Sequence, residues 1–130
     1  IELVKLESSC LGQMNLEVVN SGQLLDIASE SLLIKELSIQ LEKDFSLANI
    51  SLKLPLKFDA QTFVSIIREK VYHLMMEHFA EYLNLLYIVD VPEREFQYIE
   101  VTDAVEVADQ VTFLILKREY QKVWYRNKYK

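Results

Sequence analysis

The sequence predicts a mainly α-helical fold: three long helices packed as an antiparallel bundle, joined by extended linkers. Of the 130 residues, 51% are hydrophobic and 26% are charged, the balance of a chain that buries a core and the opposite of a disordered one. Glycine and proline occur only twice each. A sheet sandwich needs many such residues for its tight turns, so their scarcity points to few, long elements. Apolar residues also recur at three- and four-residue steps over three long stretches. The alternative is an α+β fold with a small two- or three-stranded sheet made from the linkers.

The length suits a single domain, read here as an irregular segment over residues 1–22 followed by one helical domain over residues 23–130. In the opening segment Ile1, Leu3, Val4 and Leu6 have the makings of a short strand. Ser8, Ser9, Gly12, Asn15, Asn20, Ser21 and Gly22 have the composition of loop. Met14 is readable as a natural start, which leaves open whether residues 1–13 belong with the rest.

A first helix is expected from about Gln23 to Phe45, with Ile27, Leu33, Ile34, Leu37, Leu41 and Phe45 on its apolar face. Ile50, Leu52, Leu54, Leu56 and Phe58 then alternate with mostly polar neighbours, which is strand periodicity. Pro55 removes a ladder donor and demotes that stretch to an edge strand or an extended arm. Asp59 is placed to cap a second helix over about 60–89. Its stripe of Phe63, Ile67, Val71, Leu74, His78, Tyr82 and Leu85 is widened by Val64, Met75, Phe79 and Leu86, a breadth that implies more than one neighbour. Pro92 stops it. Phe96, Tyr98 and Val101 suggest a second short strand. Thr102 or Asp103 caps a third helix that reaches Trp124 or beyond. Ala104, Ala108, Val111 and Ile115 share one of its faces, while Phe113, Tyr120 and Trp124 lie on nearly the opposite one. A helix with two apolar faces is either central in its fold or shared with another chain.

The charge map narrows the function classes. The net charge is −6, which does not indicate a generally basic nucleic-acid binder. The charge is uneven, however: from Lys117 to Lys130 there are six basic residues and one acid, Glu119, so this segment is +5 and the first 116 residues are −11. Lys117, Arg118, Lys122, Arg126, Lys128 and Lys130 interleave there with Tyr120, Trp124, Tyr125 and Tyr129. Cations neutralise phosphates and aromatic faces stack on bases, so these residues form the candidate partner- or anion-binding set. The same mixture suits an anionic membrane surface. Cations also stabilise a helix C-terminus and can pair with the acidic body of the same chain or a second copy, and this is the favoured reading of the segment.

Catalytic motifs are absent. No serine lies in a Gly-x-Ser-x-Gly elbow, and two glycines cannot make a phosphate-binding loop. On the second helix Glu69, His73, Glu77 and Glu81 follow at four-residue steps, a ridge that would need ligands from another element to hold a divalent metal. A solvated ridge is the simpler explanation, and no metal or cofactor is assigned. His78 falls in the apolar stripe and is expected to be a core or interface histidine with one hydrogen bond. Cys10 is the lone cysteine, so no internal disulfide forms and a reducing compartment, the cytoplasm, is expected. No apolar run approaches the ~20 residues of a transmembrane helix, and no secretory leader is visible.

The function expected from these features is a non-enzymatic protein-interaction module that self-associates as a dimer. Its bases are the doubly apolar third helix and the wide stripe on the second. An anion- or nucleic-acid-binding protein acting through the C-terminal segment is the first alternative. A metal protein or enzyme around the histidines is the second.

Overall fold

The computed structural model describes residues 4–6, 16–18, 20–30, 32–55 and 59–129. Two three-residue strands, β1 (Val4–Leu6) and β2 (Leu16–Val18), pair antiparallel with Lys5 opposite Glu17. Five α-helices follow: α1 (Ser21–Glu30), α2 (Ile34–Leu47), α3 (Ala60–Glu77), α4 (Phe79–Val89) and α5 (Ala104–Lys128). A 3-10 helix, Glu93–Tyr98, lies between α4 and α5. The fold is therefore mainly helical, as expected, but it is not a bundle of three uninterrupted helices. The first expected helix is two, α1 and α2. The second is also two, α3 and α4. Among the described residues the β1–β2 pair is the only sheet, and neither linker contributes a strand to it. Cys10 and Met14 lie outside the described residues.

The helix ends explain the division. Asn20 caps α1 by accepting the Gln23 amide on its side-chain oxygen at 2.9 Å, so the helix begins ahead of the expected Gln23. Leu32 then takes a left-handed backbone (φ 61°), and the Leu33 amide reaches back five residues to the Ala28 carbonyl at 2.9 Å. This is the Schellman closure, which satisfies carbonyls that a helix end would leave orphaned. The same device recurs twice. Asn49 (φ 64°) precedes a bond from the Ile50 amide to the Phe45 carbonyl, and Asp90 (φ 68°) precedes one from the Val91 amide to the Leu86 carbonyl. A chain with two glycines thus closes three helices on leucine, asparagine and aspartate.

The break between α3 and α4 is a single residue. His78 (φ −140°, ψ 60°) leaves the helical region, yet its amide bonds Leu74 and its carbonyl accepts the Tyr82 amide. The two helices meet there with almost no linker. Asp59 caps α3 through Thr62, and Asp103 caps α5 through Glu106, at 2.7 and 2.9 Å. Both caps fall where the sequence placed them.

Among the described residues neither linker forms a strand, and the first takes the other form expected of it, an extended arm. Along residues 50–55, Ile50 and Leu52 are buried and Leu54 is half-buried, while Ser51, Lys53 and Pro55 are exposed. The alternation is real, but no partner strand lies beside it. The segment is an arm laid on the core, and the Leu54 amide is satisfied by the Glu42 carboxylate at 2.8 Å. Phe58, also expected in this stretch, lies outside the described residues. Phe96 and Tyr98 belong to the 3-10 helix, which leaves Phe96 half-buried against the core and Tyr98 exposed.

α5 is the centre of the molecule. It packs against α1, α2, α3 and α4, and every residue from Gln110 to Lys117 is buried. Ala108, Val111 and Ile115 fill one side, and Phe113, Leu116 and Tyr120 fill others. Its two apolar faces are therefore covered by its own chain. Polar residues on so buried a helix must be satisfied locally. Gln110 does this by bonding both the amide and the carbonyl of Glu100, which pins the loop before α5, and Thr112 donates to the Ala108 carbonyl.

Candidate functional site

Two features stand out from an otherwise apolar core: a buried ionic cluster between α2 and α5, and an exposed apolar ridge along α3 and α4.

The cluster is built from the C-terminal half of α5. Glu119 is fully buried, and Asp44 of α2, close beside it, is nearly so. Lys122 stands between them, with Nζ 2.8 Å from Glu119 Oε1 and 2.9 Å from Asp44 Oδ2. Gln40 donates to Asp44 Oδ2 at 3.1 Å, and its own oxygen accepts from Arg126 at 2.8 Å. The Lys122–Glu119 contact is an ion pair without hydrogen-bond geometry, so neither Glu119 oxygen accepts a hydrogen bond. An ionised carboxylate in that position would be poorly solvated. Burial, reinforced by the neighbouring Asp44, pushes the Glu119 carboxyl up from 4.5 to about 8, against the opposing pull of Lys122. Burial alone would raise Asp44 too, but its contacts with Glu119, Lys122 and Gln40 hold it below its ordinary value. The two carboxyls thus divide into one driven toward its neutral form and one held as the carboxylate. The cluster carries no net charge when Glu119 keeps its proton. Since Glu119 has no access to solvent, it cannot reach a substrate.

The other C-terminal cations also have partners within the fold. Lys117 is buried and meets Glu95 of the 3-10 helix at 2.9 Å. Burial lowers its pKa, and Glu95 offsets part of that. Arg118 donates to the carbonyl of Asp90 at 3.0 Å and lies 3.2 Å from its carboxylate, securing the left-handed end of α4. Lys117, Arg118, Lys122 and Arg126 are thus engaged by residues of the same chain. Lys128 is exposed in the last turn, and Lys130 lies outside the described residues. Among the aromatics, Tyr120 is core, Trp124 and Tyr125 are half-buried in an edge-to-face pair 5.1 Å apart, and Tyr129 is exposed and stacks on Tyr125. The candidate set is therefore brought together on one helix but largely turned inward.

The histidines lie elsewhere. His73 pairs with Glu77 at 2.8 Å, and His78 lies 3.8 Å from Glu81, all four with about half or more of their side-chain surface in solvent. Of the two places expected for His78, core or interface, the core is excluded: the break in the helix leaves it exposed beside His73, ring to ring at 5.2 Å. Among the described residues no group of three or more histidine, cysteine, aspartate or glutamate side chains is placed to hold a metal ion. None of the helices described is long and apolar enough to cross a membrane.

The ridge is the surface feature of note. Tyr72 and Met76 stand four residues apart at the end of α3, and Phe79, Leu83 and Tyr87 continue at the same spacing along α4. All five are exposed, Tyr87 by 83% and Phe79 by 56%. The opposite side of α4 packs inward through Tyr82, Leu85 and Val89. Of the apolar stripe read from the sequence only His78 and Phe79 are exposed; Tyr72, Met76, Leu83 and Tyr87 were not part of it, and the sequence reading missed them. Glu81 is the only charged residue in α4.

No protein-family model matches the chain, and no curated protein or solved structure matches it.

Proposed function

We propose that the protein is a non-enzymatic protein-interaction module that self-associates as a dimer through the apolar ridge of α3 and α4. The observation that carries this reading is the run of exposed Tyr72, Met76, Phe79, Leu83 and Tyr87 on adjoining helices. Single exposed apolar residues need no explanation, but a contiguous patch of large ones marks a contact surface. A second copy of the chain is the occupant that the charge map favours. At a net charge of −6 two copies repel each other, and α4, with Glu81 alone, is where that repulsion is weak. A twofold interface also asks only that one patch complement itself, which a patch of aromatic and aliphatic side chains can do. The lone cysteine supports placing the protein in a reducing compartment, the cytoplasm.

Light scattering at micromolar concentration tests the reading. The wild type is expected at twice the 15.3 kDa chain mass, and a Phe79→Glu/Leu83→Glu variant at the chain mass with unchanged helical content. A wild type that scatters as a single chain would contradict it.

A further inference from the structure

We infer that Glu119, Asp44 and Lys122 form a proton-operated latch, which clamps the C-terminal part of α5 to α2 while the cluster holds one shared proton and releases it when that proton is lost. The latch is independent of the proposed dimer, since it lies between α2 and α5 and shares no residue with the ridge.

The geometry argues for it in three steps. First, the cluster is closed. Among the described residues, the ionisable groups that act on Glu119 are Asp44 of α2 and Lys122 of α5 itself. Gln40 and Arg126 form the next layer, bonded to each other and, through Gln40, to Asp44. One ammonium therefore faces two carboxyls. With a proton on Glu119 the charges cancel. Without it, a net negative charge sits where one carboxylate has no solvent and no hydrogen bond.

Second, the structure offers a cheaper escape than global unfolding. Beyond Glu119 the buried residues of α5 are only Tyr120 and Val123, and Arg126, Lys128 and Tyr129 are exposed. Unpacking this last part of the helix hydrates Glu119 while leaving the core around Val111, Ile115 and Leu116 intact. Elements with few buried contacts are the ones that open locally.

Third, the segment that would be freed is the part of the chain where cations are concentrated. Lys122 and Arg126 leave their contacts with Asp44 and Gln40 on release. Closed, the latch pairs Lys122 with Asp44 and ties Arg126 to the Gln40 side-chain oxygen. Open, it presents them beside Lys128 together with Trp124 and Tyr125. The proton is given up to water, and no bond other than the O–H of Glu119 is broken. The protonated carboxyl lies well above the ordinary range, near 8, so the switch is set for mildly alkaline conditions.

The test follows Trp124, the only tryptophan, half-buried against the core five residues from Glu119. Its emission maximum and its quenching by acrylamide are recorded from pH 6 to pH 9.5 on the full chain. The wild type is expected to pass through a one-proton transition near pH 8, with a red shift and increased quenching. Glu119→Gln, which keeps the shape of the neutral side chain, is expected to stay in the shielded state throughout. A wild type with no transition in this window, or the same transition in Glu119→Gln, would overturn the latch. If that variant does not fold, the carboxyl carbon of Glu119 is followed by NMR in the wild type. A midpoint near 8 supports the latch, and a midpoint near the ordinary carboxyl value sinks it.

Discussion

Lys117 of α5 and Glu95 of the 3-10 helix meet at 2.9 Å with both side chains withdrawn from water, 4% and 16% exposed. A pair so buried gives up its hydration on both sides, so it fixes where the segment between α4 and α5 docks more than it adds stability. Removing one partner leaves the other charge stranded. Lys117→Met is expected to cost ~3–5 kcal/mol in urea unfolding. Adding Glu95→Leu to it is expected to recover most of the loss. A double variant no better than the single one would mean that the pair contributes net attraction.

Phe113 and Leu83 separate the core from the ridge. Phe113 is buried in the chain's own core, which is the first of the two alternatives that the sequence left open for a helix with two apolar faces. Phe113→Ala is expected to cost ~3–5 kcal/mol of stability, as for other buried aromatics. Leu83→Ala, at 50% exposure, is expected to change the stability of the monomer by ~0.5 kcal/mol or less. Chemical denaturation at a concentration low enough to dissociate any oligomer measures both.

Leu32 holds a left-handed conformation while being 84% exposed. Its side chain gains little from packing and stands against the backbone geometry that the α1–α2 closure requires. For a bulky L residue that geometry costs ~1–2 kcal/mol. Leu32→Gly is expected to be net stabilising by ~0.5–1 kcal/mol, because the extra unfolded-state freedom of glycine offsets part of the relief. A lowered thermal midpoint would contradict this.

The pH dependence follows from the buried carboxyls. Between pH 4.5 and about 8 the folded chain keeps a proton on Glu119 that the unfolded chain has released. The stability from this group is therefore full below pH 4.5 and is lost as pH rises to about 8. The loss is of order 5 kcal/mol at most, less what local release of the helix end recovers. Asp44 acts in the other direction, since its lowered value gives stability that is lost as pH falls below its ordinary 3.8. Thermal midpoints from pH 3 to pH 9 are expected to be highest near pH 4–5 and to decline on the alkaline side. Glu119→Gln is expected to flatten that decline.

The caps at Asp59 and Asp103, the stop at Pro92 and the placing of α5 were all legible in the sequence, because each rests on one residue with strong local chemistry. The divisions at Leu32 and His78 were not. Neither has a glycine or proline to announce it, and both conform to tertiary packing. One trace was present: Ile27 and Leu33, six residues apart, do not share a helical face. The alternation of residues 50–54 left an edge strand and an extended arm both open, since a strand and an arm laid on a core leave the same period; the arm is what forms. The cluster at Glu119 was invisible for a different reason. Its members, Asp44 and Lys122, are 78 residues apart, and only the packing of α2 on α5 brings them together. In the sequence Glu119 looks like a lone acid in a basic segment, and that isolation was the one available signal.

The proposed function requires that a second copy cover the ridge from Tyr72 to Tyr87. Sedimentation equilibrium of the wild type over a dilution series measures this most directly. The expected result is a reversible monomer–dimer equilibrium that Leu83→Glu shifts to the monomer. A single species at the 15.3 kDa chain mass at every concentration would contradict it.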